Sequence, residues 1–295
     1  ATIDINQVKT VAISNGDLFW NYNTAGFEVP RDSMKYTIFA GASWIGGFDT
    51  TGALHLGAQV YRQNGNDFYP GPVMNTSSYS TATDAQWNKV WKINKTTIDS
   101  FLMWFANPSL YPSYTIPGVI TSWPGNGDVP SGQAPQLAPY IDRNSDGIYD
   151  PNAGDYPCMK GDQALFFMFN DDRNLHGETG GTKLSVEVHA TMYAYSAPGT
   201  WLDSTIFINY KLYNRSSNIY SDMYWAQWTD FDIGHWTDDY VGCDVERNIA
   251  YGYNGDINDG NSATPGPWTY GANPPAQGLV FLRGPEADAG DGIDN

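Results

Sequence analysis

The chain has 295 residues, 41% hydrophobic and 15% aromatic, enough to bury a sizeable core in one large unit or two moderate ones. Its formal net charge is −17, which argues against nucleic acid, whose binding needs Lys and Arg to neutralise phosphate, and against an anionic membrane surface. No apolar run is long enough to cross a bilayer as a helix, so direct membrane insertion is not expected.

In chain order, the opening ATID reads as a mature N-terminus after processing. Residues 1–30 read as an entry strand, a turn at Asn15, Gly16 and Asp17, and an apolar stretch closed by Pro30. Residues 35–45 (KYTIFAGASWI) predict a buried strand ended by Gly46 and Gly47. Residues 54–62 predict its hairpin partner, across a turn at 49–52. A helical insertion is expected at about 84–105, capped by Thr83 or Asp84. There Trp87, Val90, Trp91, Ile93, Ile98, Phe101, Leu102 and Phe105 fall near a 3.6-residue period, and 94–97 is a weak point that splits it. Residues 106–140 carry Pro and Gly without periodicity and read as a long irregular excursion. Strands follow at 164–169, 184–195, 205–214, 222–231, 249–253 and 278–282. Several short strands with Gly, Asn and Pro turns indicate an all-β chain, an antiparallel β-sandwich-type fold with long irregular loops and one helical insertion. It is expected to occupy 1–283, with 284–295 opening an acidic Gly/Asp linker or repeat that continues further.

The acidity is of one kind. Of 32 acidic residues only five are Glu, which leaves 27 Asp. Asp favours turns and caps where Glu favours helices, so the acid belongs in loops, where it can bind cations. The run DRNSDGIYD at 142–150 alternates side-chain oxygens and places Gly147 after the third. A hard cation such as Ca²⁺ takes six to eight oxygens at ~2.3–2.6 Å, and a short loop of this kind supplies them. Asp142, Asn144 and Asp146 would ligate through side chains, Ile148 through its carbonyl, and Asp150 directly or through water. The twelfth position is Ala153 where an EF-hand has Glu, and Asp155 is the replacement carboxylate. A polar turn is the plainer alternative.

A second cation cluster is read at Asp230, Asp232, Asp238, Asp239 and Asp244, with His235 and Arg247 the nearest bases. Two carboxylates on one side of an extended segment repel each other unless a cation or proton lies between them. The polar run at 256–261 reads as a loop, and Asp288, Asp291 and Asp294 as the start of a third site. Cys158 and Cys243 lie next to Asp-rich loops. They are either one disulfide or two buried free thiols.

Together NGDLFW at 15–20, FAGASWIGG at 39–47, AQVYRQ at 58–63 with DFYPGP at 67–72, and DDYVGCD at 238–244 resemble a class of large secreted cell-surface proteins of the Bacteroidetes, cargo of the type IX secretion system. The resemblance covers nearly the whole chain and implies a cleaved signal peptide, a long extracellular β-rich body and a C-terminal sorting domain, which this chain lacks. It also implies calcium binding at Asp238, Asp239 and Asp244.

Function is weighed among three classes. The first is an extracellular, calcium-stabilised structural or adhesive protein that assembles with copies of itself or with other surface proteins. The second is a carbohydrate-binding adhesin, with Trp225, Trp228 and Trp236 as its sugar platform, although aromatics in β-rich domains commonly serve packing. The third is a glycoside hydrolase, for which Glu187 between Val186 and Val188 is a conceivable acid, a solvent-facing strand position being the expectation. Only four His occur, and no GxSxG elbow, GxGxxG or P-loop run is present, so no nucleotide cofactor and no catalytic residue is expected.

Overall fold

A computed structural model describes residues 1–260 and 266–284; the acidic run at 285–295, with Asp288, Asp291 and Asp294, lies outside the described residues, as does Asn261. In chain order the strands are β1 (Thr2–Ile3), β2 (Lys9–Val11), β3 (Phe27–Glu28), β4 (Tyr36–Phe48), β5 (Leu54–Ala58) and β6 (Tyr69–Pro70). Helix α1 (Thr81–Trp87), β7 (Trp91–Asn94), helices α2 (Lys95–Ala106) and α3 (Gly118–Thr121), β8 (Tyr140–Ile141) and β9 (Tyr156–Pro157) follow. The second half holds β10 (Gln163–Asn170), β11 (Val186–Ala194), β12 (Phe207–Asn214), β13 (Ser221–Phe231), β14 (Asp239–Asp244), β15 (Ile249–Asn254), β16 (Asn258–Asp259), β17 (Gly271–Ala272) and β18 (Ala276–Val280).

Two antiparallel sheets make the body. One runs β1-β2-β3-β4-β13 with β5 also on β4; the other runs β12-β11-β10, with β6 and β7 sharing the far edge of β10. The first core lies between them. Ile3, Leu18, Ile38 and Ile45 from one sheet meet Leu165, Phe167, Phe169, Val188 and Met192 from the other. The alternation in β11 sets this arrangement, because successive side chains of a strand point to opposite faces. The all-β, sandwich-type expectation therefore holds.

β10 is buried along its entire length. Leu165, Phe167 and Phe169 enter the first core, while Ala164, Phe166 and Met168 enter a second. The second core lies under the excursion: Trp87, Trp91, Ile93, Phe101, Ile120, Trp123 and Tyr149 cover the outer face of that sheet. The covering layer is irregular, and its helices are short.

Three local expectations are corrected. The helix expected at 84–105 is two helices separated by β7, which pairs with β10 from Gln163↔Asn94 to Phe166↔Trp91. Its cap is Ser80, in a reciprocal box with Thr83. β4 does not stop at Gly46 and Gly47 but pairs on through them with β5 and β13.

The last three-stranded sheet, β14-β15-β18, stands apart from the sandwich. It meets the body through β15 and β18. There Phe231 packs over Gly252, and the Thr37 hydroxyl donates to Gln277 Oε1 at 2.7 Å.

Candidate cation sites

The loop at 142–155 is folded around its own amides. Asp142 accepts from Ser145 N at 2.7 Å and Gly147 N at 2.8 Å. Asp146 accepts from Ile148 N at 2.8 Å and from Asn144 Nδ2 at 2.8 Å. Asp150 Oδ1 accepts from Asn152 N at 2.9 Å. Asp155 is fully buried and clamps both ends of the loop, accepting from Arg143 N and Asp150 N, each at 2.9 Å. Gly147 has φ +75°, the left-handed conformation the turn needs. Ile148 is exposed, while Tyr149 anchors the loop through its hydroxyl on Ile120 O at 2.7 Å. A cation here would share oxygens that main-chain donors already hold.

The second cluster is divided by the fold. Asp239 and Asp244 are the two ends of β14, about 16 Å apart for five residues of strand. Asp244 caps the turn at Val245–Arg247 and is ion-paired with Arg247, so it leaves the cluster. Asp230 accepts from the Tyr61 hydroxyl. The others meet where β13 ends and β14 begins. Asp239 Oδ2 accepts from Ile233 N at 2.6 Å, and Asp238 Oδ2 from Gly260 N at 3.1 Å. Asp259, expected in a polar loop, is buried here and accepts from His235 N at 2.8 Å and from Tyr270 N. Gly234 (φ +67°) makes room for it, since a Cβ there would collide with Asp259 Oδ2.

This corner has unmet needs. Among the described residues Asp239 Oδ1 and Asn254 Oδ1 are buried and accept no hydrogen bond, and Asp238 Oδ1 has only His235 Nδ1 facing it, at 3.4 Å. Nothing in the sequence around Asn254 marks it. It enters because β14 and β15 pair Asp239 directly opposite Asn254, which no local pattern reveals. Burial, then the charges of Asp230 and Asp239, push Asp232 up to about 7. Burial, then Asp238 and Asp259, push Asp239 up to about 6 against the opposing Ile233 amide. Among the described residues no three His, Cys, Asp or Glu side chains form a ready metal cage. The corner offers carboxylate and amide oxygens instead.

The three tryptophans do not form one platform. Trp225 turns inward onto Tyr210, with ring centroids 4.8 Å apart. Trp228, three residues on, takes the opposite face, parallel to Trp44 (7°, 6.5 Å) and edge-on to Tyr61. Trp236 is exposed in the turn before β14. Cys158 and Cys243 are free thiols, and both are exposed, so neither the disulfide nor the buried pair is formed. Cys158 directly follows β9 and Cys243 is the penultimate residue of β14, and these strands belong to different sheets.

Glu187 is not solvent-facing. It is fully buried on β11, under the covering layer. It receives His189 Nε2 at 2.9 Å, Arg215 at 2.7 Å and Val73 N at 2.8 Å. Burial alone would raise its pKa, but His189 and Arg215 outweigh burial and hold it below the usual carboxylate value. With both oxygens held in this way, Glu187 is fixed as an anion, the opposite of a catalytic acid. No protein-family model matches the chain, and no curated protein and no solved structure is significantly similar to it.

Proposed function

We propose that this chain is an extracellular, calcium-stabilised structural or adhesive surface protein, associating with copies of itself or with other surface proteins. The observation that carries the reading is the solvent face of the β14-β15-β18 sheet. Its register places Tyr240 opposite Tyr253 and Ile249 opposite Val280. Tyr240 and Tyr253 stack at 6.0 Å, and Tyr251 extends the row. Tyr240 is 60% exposed and Leu282, just past β18, is 77% exposed. Among the described residues nothing pairs with the outer edges of β14 and β18. A contiguous apolar patch with open strand edges marks association, because both the patch and the unpaired amides gain from a second surface. The resemblance to secreted Bacteroidetes surface proteins points the same way.

The test is light scattering and electron microscopy of the protein in calcium, with and without EDTA, alongside Tyr240→Ser/Tyr253→Ser. Oligomers or filaments in calcium, reduced to monomers by the double substitution, support the reading. Monomers under every condition at high concentration would remove it. A carbohydrate-binding adhesin is the second reading, favoured by the parallel Trp44 and Trp228 beside Asp230, and a glycan array addresses it. Catalysis has no support in the buried, fully engaged Glu187.

A further inference from the structure

The covering layer over β10 holds a cavity of about 340 Å³ between the end of α1, β7 and the excursion at 122–133. That volume lies at the small end of the ~300–1,000 Å³ typical of small-molecule sites. The indoles of Trp87 and Trp91, 6.1 Å apart and inclined at 59°, form its apolar wall. Two lining side chains carry N–H groups that no protein oxygen accepts. Trp87 is 6% exposed, and its Nε1 is buried without a partner among the described residues. Gly71 (φ +94°) seats that ring so closely that a Cβ there would meet Cγ at 2.5 Å, which holds the indole in place. Gln133 is 8% exposed. Its Oε1 accepts from Asp128 N at 2.9 Å, which fixes the amide, and its Nε2 faces only the Met74 thioether at 3.4 Å, a weak acceptor. On the solvent side, the exposed Lys89 lies with its ammonium 5.0 Å over Trp91 and donates to Ser122 Oγ at 2.9 Å. Asp128 balances its charge, and the exposed Gln86 also lines the cavity.

Unmatched buried donors are costly, and a ligand that brings acceptor oxygens removes the cost. The polar lining is amide and hydroxyl apart from one cation and one anion, so it suits a neutral ligand. We propose that this cavity binds a neutral hexose, a single pyranose unit such as the end of a glycan. A pyranose meets each demand. Its hydroxyl oxygens accept from Trp87 Nε1 and Gln133 Nε2, its C–H face lies against an indole, and its outer hydroxyls reach Gln86, Lys89 and Asp128. The volume suits one ring and not a chain. This rests on the carbohydrate-binding reading above and moves its site from the Trp44 and Trp228 pair to the covering layer.

The test is NMR of the full chain, labelled at its tryptophan indole nitrogens and titrated with glucose, galactose, mannose, N-acetylglucosamine and N-acetylgalactosamine. The indole cross-peak absent from Trp87→Phe is that of Trp87. At least one of these sugars should move it saturably. Trp87→Phe removes the donor and keeps an aromatic ring, and should weaken that sugar about 10-fold, read from the other indole cross-peaks that move. Gln86→Ala, at an exposed position away from both cores, should weaken it about 3-fold. Trp228→Ala should leave it unchanged. Movement of the Trp44 and Trp228 cross-peaks with Trp87 unmoved would overturn the cavity assignment and keep the adhesin reading. No indole moving with any of these sugars would overturn the cavity, and the glycan array would then decide the adhesin reading by itself.

Discussion

Two buried ionic groups show what a strand pattern leaves unsaid. Glu187 and His189 alternate with the apolar residues of β11, and alternation alone suggests a wet face. It marks only a change of face, and here the second face is covered, so the polar side chains must find partners. Glu187 finds His189 and Arg215. His176 is a sharper case. Its Nδ1 faces Leu56 O at 2.6 Å and its Nε2 faces Asp171 O at 3.0 Å, with the Asp171 carboxylate 3.4 Å away. Two carbonyl acceptors need two N–H donors, and only the imidazolium has both. Burial would lower its pKa, but Asp171 and the Leu56 carbonyl raise it above the ordinary 6.5. A raised folded pKa contributes stability that is fully present below the unfolded value and is lost as pH rises through the folded one. The melting temperature should therefore fall as pH is taken upward from about 6.5, and His176→Gln should flatten that part of the profile. Identical profiles for the two proteins would show that the imidazolium is not what the site stabilises. The burial of His176 is not legible in the sequence. It depends on Leu56, 120 residues away in the chain.

Among the elements, those with an unambiguous period were readable and those with a mixed one were not. The six strands expected in the second half fall close to their positions, because β-branched and aromatic residues alternate there with few competing signals, whereas β14, β16 and β17 were not expected. At 87–94 the sequence serves two periods. Trp87, Val90, Trp91 and Ile93 fit a helical stripe, yet Trp91, Lys92, Ile93 and Asn94 also alternate, and their burial alternates with them. Pairing with β10 decided for strand, since a fully buried sheet edge needs its main-chain groups satisfied. The consequence is that β10 joins two cores instead of closing one. Phe166 packs among Trp91, Trp123 and His189, whereas its neighbour Phe167 enters the sandwich. Phe166→Ala should cost about 3–5 kcal/mol, as much as a typical buried Phe in a primary core. Urea unfolding measures it. A cost below about 1 kcal/mol would mean that the covering layer closes over the gap and is a loose wrapping.

For the molecule as a whole, the sandwich was legible while the division of labour among its sheets was not. Composition placed the Asp in loops, and most of the described ones are there, but Asp222, Asp230, Asp239, Asp244 and Asp259 lie in strands and Asp84 and Asp99 in helices. It could not distinguish a loop that satisfies its own carboxylates from a corner that leaves them wanting, because that depends on which strands pair. The DRNSDGIYD run looked the better cation site by its spacing, yet Ser145, Gly147, Ile148 and Asn152 donate to it from within. The corner holds a buried oxygen without a donor on Asn254, a residue with no motif around it. This geometry predicts where calcium acts. A ligand held at 100 times its Kd adds about 2.7 kcal/mol to the states that bind it. The sheet carrying the tyrosine face exposes one side to solvent while β10 is buried along its length, so it opens more readily than β10 and β11, and a calcium ion bound at its root would act on that local opening. Amide exchange should therefore rise in EDTA across β14 and β15, while β10 and β11 keep their protection. An equal rise over all four strands would place the ion's contribution in global unfolding. A rise confined to 142–155 would return it to the loop. The selective outcome would make calcium the fastening of the adhesive sheet to its support, and assembly through that sheet would inherit the calcium dependence.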